Sequence, residues 1–183
     1  MKENLINLIE NNRVEDFTEQ VFNNKVCGSG GFYTIPLSAD EEKALIHRVL
    51  TDKKNNRWYK VMADYMSHYP LSRETIDFLI CGIDNPMAVK IICSEYEKHG
   101  YVPEQAEQIC KAVKAANYNK MFLPLIKVIC SHGRCFSYDL FCILGSLSGN
   151  LCEEGKSAAQ FEELYKKNVH EYRKQNGLLR FSS

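Results

Sequence analysis

The chain is predicted to be all-α, a series of stacked antiparallel helix pairs in the manner of an α-solenoid, closed by a longer C-terminal capping helix. Three observations predict this. Apolar residues recur at i, i+3, i+4 and i+7 in Val89, Ile92, Cys93 and Tyr96, in Ala106, Ile109, Cys110 and Val113, and in Phe122, Leu125, Ile126 and Ile129. That spacing marks one buried stripe on a helix. Between the stripes stand helix stop and start signals, at Asp84-Asn85-Pro86, from His99 to Pro103, and at Asn117-Tyr118-Asn119. Finally, His68, His99 and His132 each close the second helix of a pair at spacings of 31 and 33 residues, a period typical of helical repeats.

From the N-terminus, Leu5, Leu8 and Ile9 make a short stripe, Asn11-Asn12 interrupts it, and Val14, Phe17 and Val21 resume it, so residues 1–26 read as a first helix pair. Residues 27–37 read as a glycine-rich extended loop. Cys27-Gly28-Ser29-Gly30-Gly31 leaves the backbone largely unrestrained, and Phe32-Tyr33-Thr34-Ile35-Pro36-Leu37 has β character that Pro36 keeps out of a central strand. Its aromatics are expected to pin it. Helix pairs then fill residues 38–149. Ser38 and Glu41 have capping-box spacing, and Asp40, Glu41 and Glu42 place negative charge where the helix dipole favours it, predicting a helix from Ala39 to Asp52.

Lys53-Lys54-Asn55-Asn56 ends that helix, and Trp58, Val61, Met62, Tyr65 and Met66 form the next stripe. Tyr69-Pro70 stops it, and Ser72 opens a helix with Ile76, Leu79, Ile80 and Ile83 on its buried side. Asn85 caps the following helix and Pro86 takes its first position, where a missing N–H costs nothing; Pro103 opens another in the same way. Pro124 would kink a helix begun at Lys120 and fits one begun near Phe122. Leu140, Ile143, Leu144 and Leu147 make one more stripe before the loop Gly145–Asn150. Residues 150–183 hold a C-terminal helix, about Lys156 to Gln175, and a tail. Phe161, Leu164, Tyr165, Val169 and Tyr172 lie on one narrow face, which suits a helix that closes a stack.

Two segments carry a family resemblance. Ile80-Cys81-Gly82-Ile83-Asp84-Asn85-Pro86-Met87-Ala88-Val89-Lys90-Ile91-Ile92 resembles the end of the first helix, the polar turn and the second helix of a degenerate ankyrin repeat. Leu5 to Phe17 is similar, as are the paired His99-Gly100 and His132-Gly133 at helix ends, and Thr34-Ile35-Pro36-Leu37 is the nearest approach to the family's opening motif. The resemblance implies a protein-binding array.

A chain of 183 residues, 45% hydrophobic, suits a single helical-repeat domain spanning residues 1–183. Its 23 basic and 23 acidic residues cancel, which removes any global attraction to nucleic acid or an anionic membrane. The opening MKENLINLIENN lacks a signal-peptide core, and no run approaches the eighteen apolar residues of a membrane span, so a cytoplasmic protein is expected. Of eight cysteines, Cys93 and Cys110 lie in helical stripes, while Cys81 and Cys130 each follow a stripe isoleucine. They read as reduced, structural thiols.

Chemistry is sparse. Cys130, His132 and Cys135, with Cys142 or Cys152 behind them, include zinc-ligating types without the paired spacing that anchors a zinc site. Cys27, in its glycine loop, is the best nucleophile and would need a base such as His47. Gly28-Ser29-Gly30-Gly31 lacks the Lys-Ser/Thr of a phosphate loop. Lys53 to Lys60 interleaves basic and aromatic residues as a nucleic-acid contact could, though a helix–turn–helix corner with Trp58 buried accounts for it better. Tyr69, Tyr101 and Arg134 occupy equivalent links between helix pairs; with Tyr33 they are the expected partner-binding residues, Tyr and Arg being the types that dominate interface energy. The sequence therefore favours a non-enzymatic scaffold or adaptor without a cofactor. The alternatives are a thiol-dependent enzyme using Cys27, or a small nucleic-acid-binding helical protein.

Overall fold

The computed structural model describes residues 4–25, 32–52, 57–100, 102–116 and 120–132, together with the helical positions Lys166, Lys167, His170, Arg173 and Lys174. The chain divides into two units, Met1–Phe78 and Leu79–Ser183. Its described residues are overwhelmingly helical. No helix among them is long and apolar enough to cross a membrane.

In the first unit, α1 (Leu5–Glu10) and α2 (Val14–Phe22) bury Leu5, Leu8, Ile9, Val14, Phe17 and Val21, the two predicted stripes. The turn between them is a Schellman closure. Asn12 takes the left-handed conformation at φ 58°, its N–H donates to the Ile9 carbonyl, and the Arg13 N–H donates to the Leu8 carbonyl. Asparagine adopts this geometry at less cost than most side chains, and here its Oδ1 also accepts from Trp58 Nε1 at 2.7 Å.

The α3 helix (Ala39–Thr51) starts on the complete Ser38–Glu41 capping box. The α4 helix (Arg57–His68) buries Trp58, Val61, Met62, Tyr65 and Met66, again the predicted face. Packing joins α1 to α2, α3 to α4, α1 to α3 and α2 to α4. Phe17 meets Trp58 edge-on at 5.4 Å near the start of α4, while Phe22 faces His68 at its end, so α2 and α4 run in the same direction.

The expected first pair of residues 1–26 is shorter than predicted. Helix α2 stops at Phe22, and β1 (Asn24–Lys25) pairs antiparallel with β2 (Phe32–Tyr33), Asn24 opposite Tyr33 and Lys25 opposite Phe32. Of this minimal ladder, β1 falls in the stretch assigned to the first helix pair and β2 in the expected loop. The following strap is held by polar contacts: the Ile35 N–H donates to the Val21 carbonyl, the Leu37 N–H to Tyr65 Oη, and Tyr69 Oη to the Thr34 carbonyl at 2.8 Å. The tyrosines shown to pin it belong to α4 and to the link after it; the side chains of Phe32 and Tyr33 lie outside the described set.

Helix α5 (Arg73–Cys81) spans the division between the units. In the second unit, α6 (Pro86–His99) starts on Asn85, whose side chain accepts from the Met87 N–H, with Pro86 at the first turn. Gly100 ends α6 at φ 79°, a backbone open in practice only to glycine. Helix α7 (Pro103–Ala115) buries Ala106, Ile109, Cys110 and Val113 completely. A single 3₁₀ turn, Lys120–Phe122, leads into α8 (Leu123–His132), which packs on α6 and hides Leu125, Ile126 and Ile129. Pro124 is therefore the second residue of α8, in its first turn, where its missing N–H removes no bond within that helix. His68, His99 and His132 are the final residues of α4, α6 and α8, as the spacing predicted.

The stripe from Leu140 to Leu147 and most of the C-terminal helix lie outside the described residues. The positions described there, Lys166, Lys167, His170, Arg173 and Lys174, are helical and exposed.

Candidate functional site

The first two helix pairs offer the best-defined surface. Helices α1 and α3 lie side by side and enclose an open cleft of about 320 Å³, lined by Ile9 and Glu10 from one and by Ala44, His47, Arg48 and Thr51 from the other. Each helix turns its apolar stripe toward the core, which leaves Glu10 and His47 exposed at the rim. Arg48 is half-buried, and its Nε is fully covered with no hydrogen-bond partner among the described residues. Thr51 Oγ1 is spent on the α3 backbone, donating to the His47 carbonyl at 2.8 Å with the Arg48 carbonyl at 3.2 Å.

Behind this surface lies a polar cluster that charge counting alone did not reveal. Glu42, assigned from sequence to the helix dipole, is only 3% exposed. Its Oε2 accepts from the Ser72 N–H at 2.9 Å and from Thr75 Oγ1 at 2.7 Å, and its Oε1 accepts from Tyr65 Oη at 3.1 Å. Ser72 Oγ meanwhile accepts from the Thr75 N–H, the capping bond of α5. Because the residue three positions after Ser72 is Thr and not Glu, the reciprocal half of a capping box is missing from α5 itself, and Glu42 supplies it from α3. The tyrosine hydroxyl is held neutral: burial, then the neighbouring Glu42 charge, pushes its pKa well above the ordinary tyrosine range against the opposing Leu37 N–H. This cluster ties three helices together. A signal for it was present, because Glu42 shares the i, i+3, i+4, i+7 stripe of Leu45, Ile46 and Val49.

The residues singled out from sequence are distributed as follows. Tyr69 is half-buried, with its hydroxyl engaged on Thr34 and its ring 5.7 Å from Tyr65. Tyr33 contributes backbone to β2. Tyr101 and Arg134 lie outside the described residues, as does Cys27; its suggested base, His47, is an exposed residue of the α1–α3 cleft. In the basic–aromatic segment, Trp58 is wholly buried against Phe17 and Asn12, and Arg57 is paired with Glu15, so neither ring face of Trp58 is open to a base.

Cys130 and His132 fall within α8, their side chains outside the described set together with Cys135, Cys142 and Cys152. Among the described residues, no group of three His, Cys, Asp or Glu converges on a point. Cys93 and Cys110 are buried cysteines outside any disulfide, and burial with the Glu97 charge pushes the Cys93 pKa up to about 12. Cys81 departs from its expected burial. It is exposed, because it stands well over a third of a turn from Ile76, off the face that carries Leu79 and Ile83.

Compared with known proteins, the chain matches no family model, no curated protein and no solved structure.

Proposed function

We propose that the chain is a non-enzymatic protein-interaction module, a helical-repeat scaffold with ankyrin-like helix pairs that holds a protein partner on the surface built by its first helices and links. Like-on-like packing in the first unit carries this reading. First helix lies on first helix, α1 on α3, and second on second, α2 on α4, with the two second helices running the same way. The α6–α8 contact within the second unit repeats the second-helix relation. Within the first unit such an arrangement leaves the outer faces of α1 and α3 side by side, the kind of surface that repeat proteins use for binding. In this reading the module works in the reducing cytosol, where buried cysteines such as Cys93 and Cys110 form no disulfide.

The test is reconstitution. A partner captured by crosslinking in the native cell should form a saturable, stoichiometric complex with the purified chain. Absence of any such complex, or turnover of a substrate by the purified chain, would contradict the proposal.

A further inference from the structure

We infer that residues 34–37 form a latch: this strap opens as a unit, and its closure strengthens the cap of α5 through Tyr65 and Glu42. All the groups involved belong to the first unit. Residues 34–37 lie in neither helix nor strand. The hydrogen bonds that hold them among the described residues run from the Ile35 N–H to the Val21 carbonyl, from the Leu37 N–H to Tyr65 Oη, and from Tyr69 Oη to the Thr34 carbonyl. Leu37 is the buried side chain of the strap, whereas Thr34 and Ile35 are half-buried and Pro36 is exposed. Each such bond shifts an equilibrium by only about twofold to tenfold, so the strap detaches more readily than the helices beneath it unfold.

Opening is felt at α5 because the same bonds continue inward. Tyr65 is buried, and its hydroxyl has one proton to give. With the strap closed, the Leu37 N–H fills a lone pair of that hydroxyl and the proton goes to Glu42 Oε1. Glu42 Oε2 in turn accepts from the Ser72 N–H, just before α5, and from Thr75 Oγ1 in its first turn. Hydrogen bonds in such a chain strengthen one another, and a carboxylate holds its protein donors hardest while water is kept away. Lifting Leu37 takes the donor from Tyr65 and lets water compete at the hydroxyl and the carboxylate, so Ser72 and Thr75 are held less firmly. The coupling is reciprocal: a frayed start of α5 loosens the strap by the same factor. A partner that clamps residues 34–37 therefore also firms α5, and one that pries them off loosens it.

Native-state hydrogen exchange on the full chain reads both ends, because the Leu37 amide bonds Tyr65 Oη and the Ser72 amide bonds Glu42 Oε2. Leu37→Ala trims the buried anchor of the strap. The Ile35 and Leu37 amides should then exchange about tenfold faster or more, and the Ser72 amide should follow by about twofold or more. Thr75→Val, made at the other end, should speed exchange at Leu37 about twofold to tenfold. Tyr65→Phe removes the hydroxyl that joins the two ends, so in that background Leu37→Ala should leave the Ser72 amide unchanged. Should Tyr65→Phe not fold, Glu42→Gln takes its place and should cut the transmitted effect by about half or more. Lys43→Ala removes the exposed Lys43–Glu74 pair, a tie between α3 and α5 that bypasses the strap, and should leave the transmission intact.

Faster exchange at Ile35 and Leu37 with Ser72 unmoved would overturn the inference, as would transmission that survives Tyr65→Phe or Glu42→Gln in full. Strap amides that exchange only as fast as those in the middle of α3 and α4 would do the same, since the strap would then open only with the whole unit. None of these readings involves a partner, so their failure leaves the interaction module standing, and failure of that module leaves the latch.

Discussion

Glu42 shows how much one side chain can organise. A carboxylate at 3% exposure is tolerated here because the Ser72 N–H, the Thr75 hydroxyl and the Tyr65 hydroxyl all donate to it. Replacing it by alanine strands all three donors at once, and the expected loss is about 3 kcal/mol, measured by chemical denaturation. Glu42→Gln keeps one acceptor but turns an amide N–H toward a donor; its loss should be smaller, about 1–2 kcal/mol. Equal stability of wild type and Glu42→Ala would show that the cluster holds nothing together. The sequence contained this residue's position on an apolar stripe, yet not its partners. Ser72 and Thr75 lie about thirty residues away, and no local rule links a helix's first turn to the cap of another helix.

Helix boundaries, by contrast, were legible because they are local chemistry. The Ser38–Glu41 box and the Asn85 cap each use a side chain within four residues of the group it satisfies, Pro86 and Pro103 bring no N–H that would need a partner, and each start appears where predicted. Gly100 makes the same point at a helix end. Its φ of 79° has open space around it, so Gly100→Ala should cost about 1–2 kcal/mol through the backbone alone, with no clash to relax. An unchanged thermal midpoint would contradict that. The short ladder of β1 with β2 was not legible, since two-residue pairing leaves no periodicity to read.

The cysteines give an element-level test of helix facing. Cys81 should alkylate readily in the native protein, whereas Cys93 and Cys110 should react only after denaturation, as read by peptide mass spectrometry. Similar labelling of all three would contradict the assigned faces of α5, α6 and α7.

For the molecule as a whole, the two raised pKa values set an alkaline limit. Tyr65 and Cys93 hold their protons more tightly folded than unfolded, so their contribution is complete below the ordinary thiol range. Stability should decline as pH rises from about 9, where an unfolded thiol is half-ionised, toward about 12, where the folded Cys93 is. Flat stability over that window, followed by circular dichroism, would mean that neither group is as enclosed as described.

The all-helical class and the buried stripes could be read from the sequence, because 3.6-residue periodicity writes them directly. The cleft could not, since Glu10 and Arg48 come from different helices and only the packing of α1 on α3 brings them together.

The proposal that first helices form the partner surface is tested most directly by placing a photoreactive residue at single exposed positions and mapping capture of the reconstituted partner. Crosslinks should form from Glu10 of α1 and His47 of α3 and be absent from Glu19 of α2 and Lys60 of α4. Crosslinks from the second helices alone, or equally from all four positions, would contradict the account.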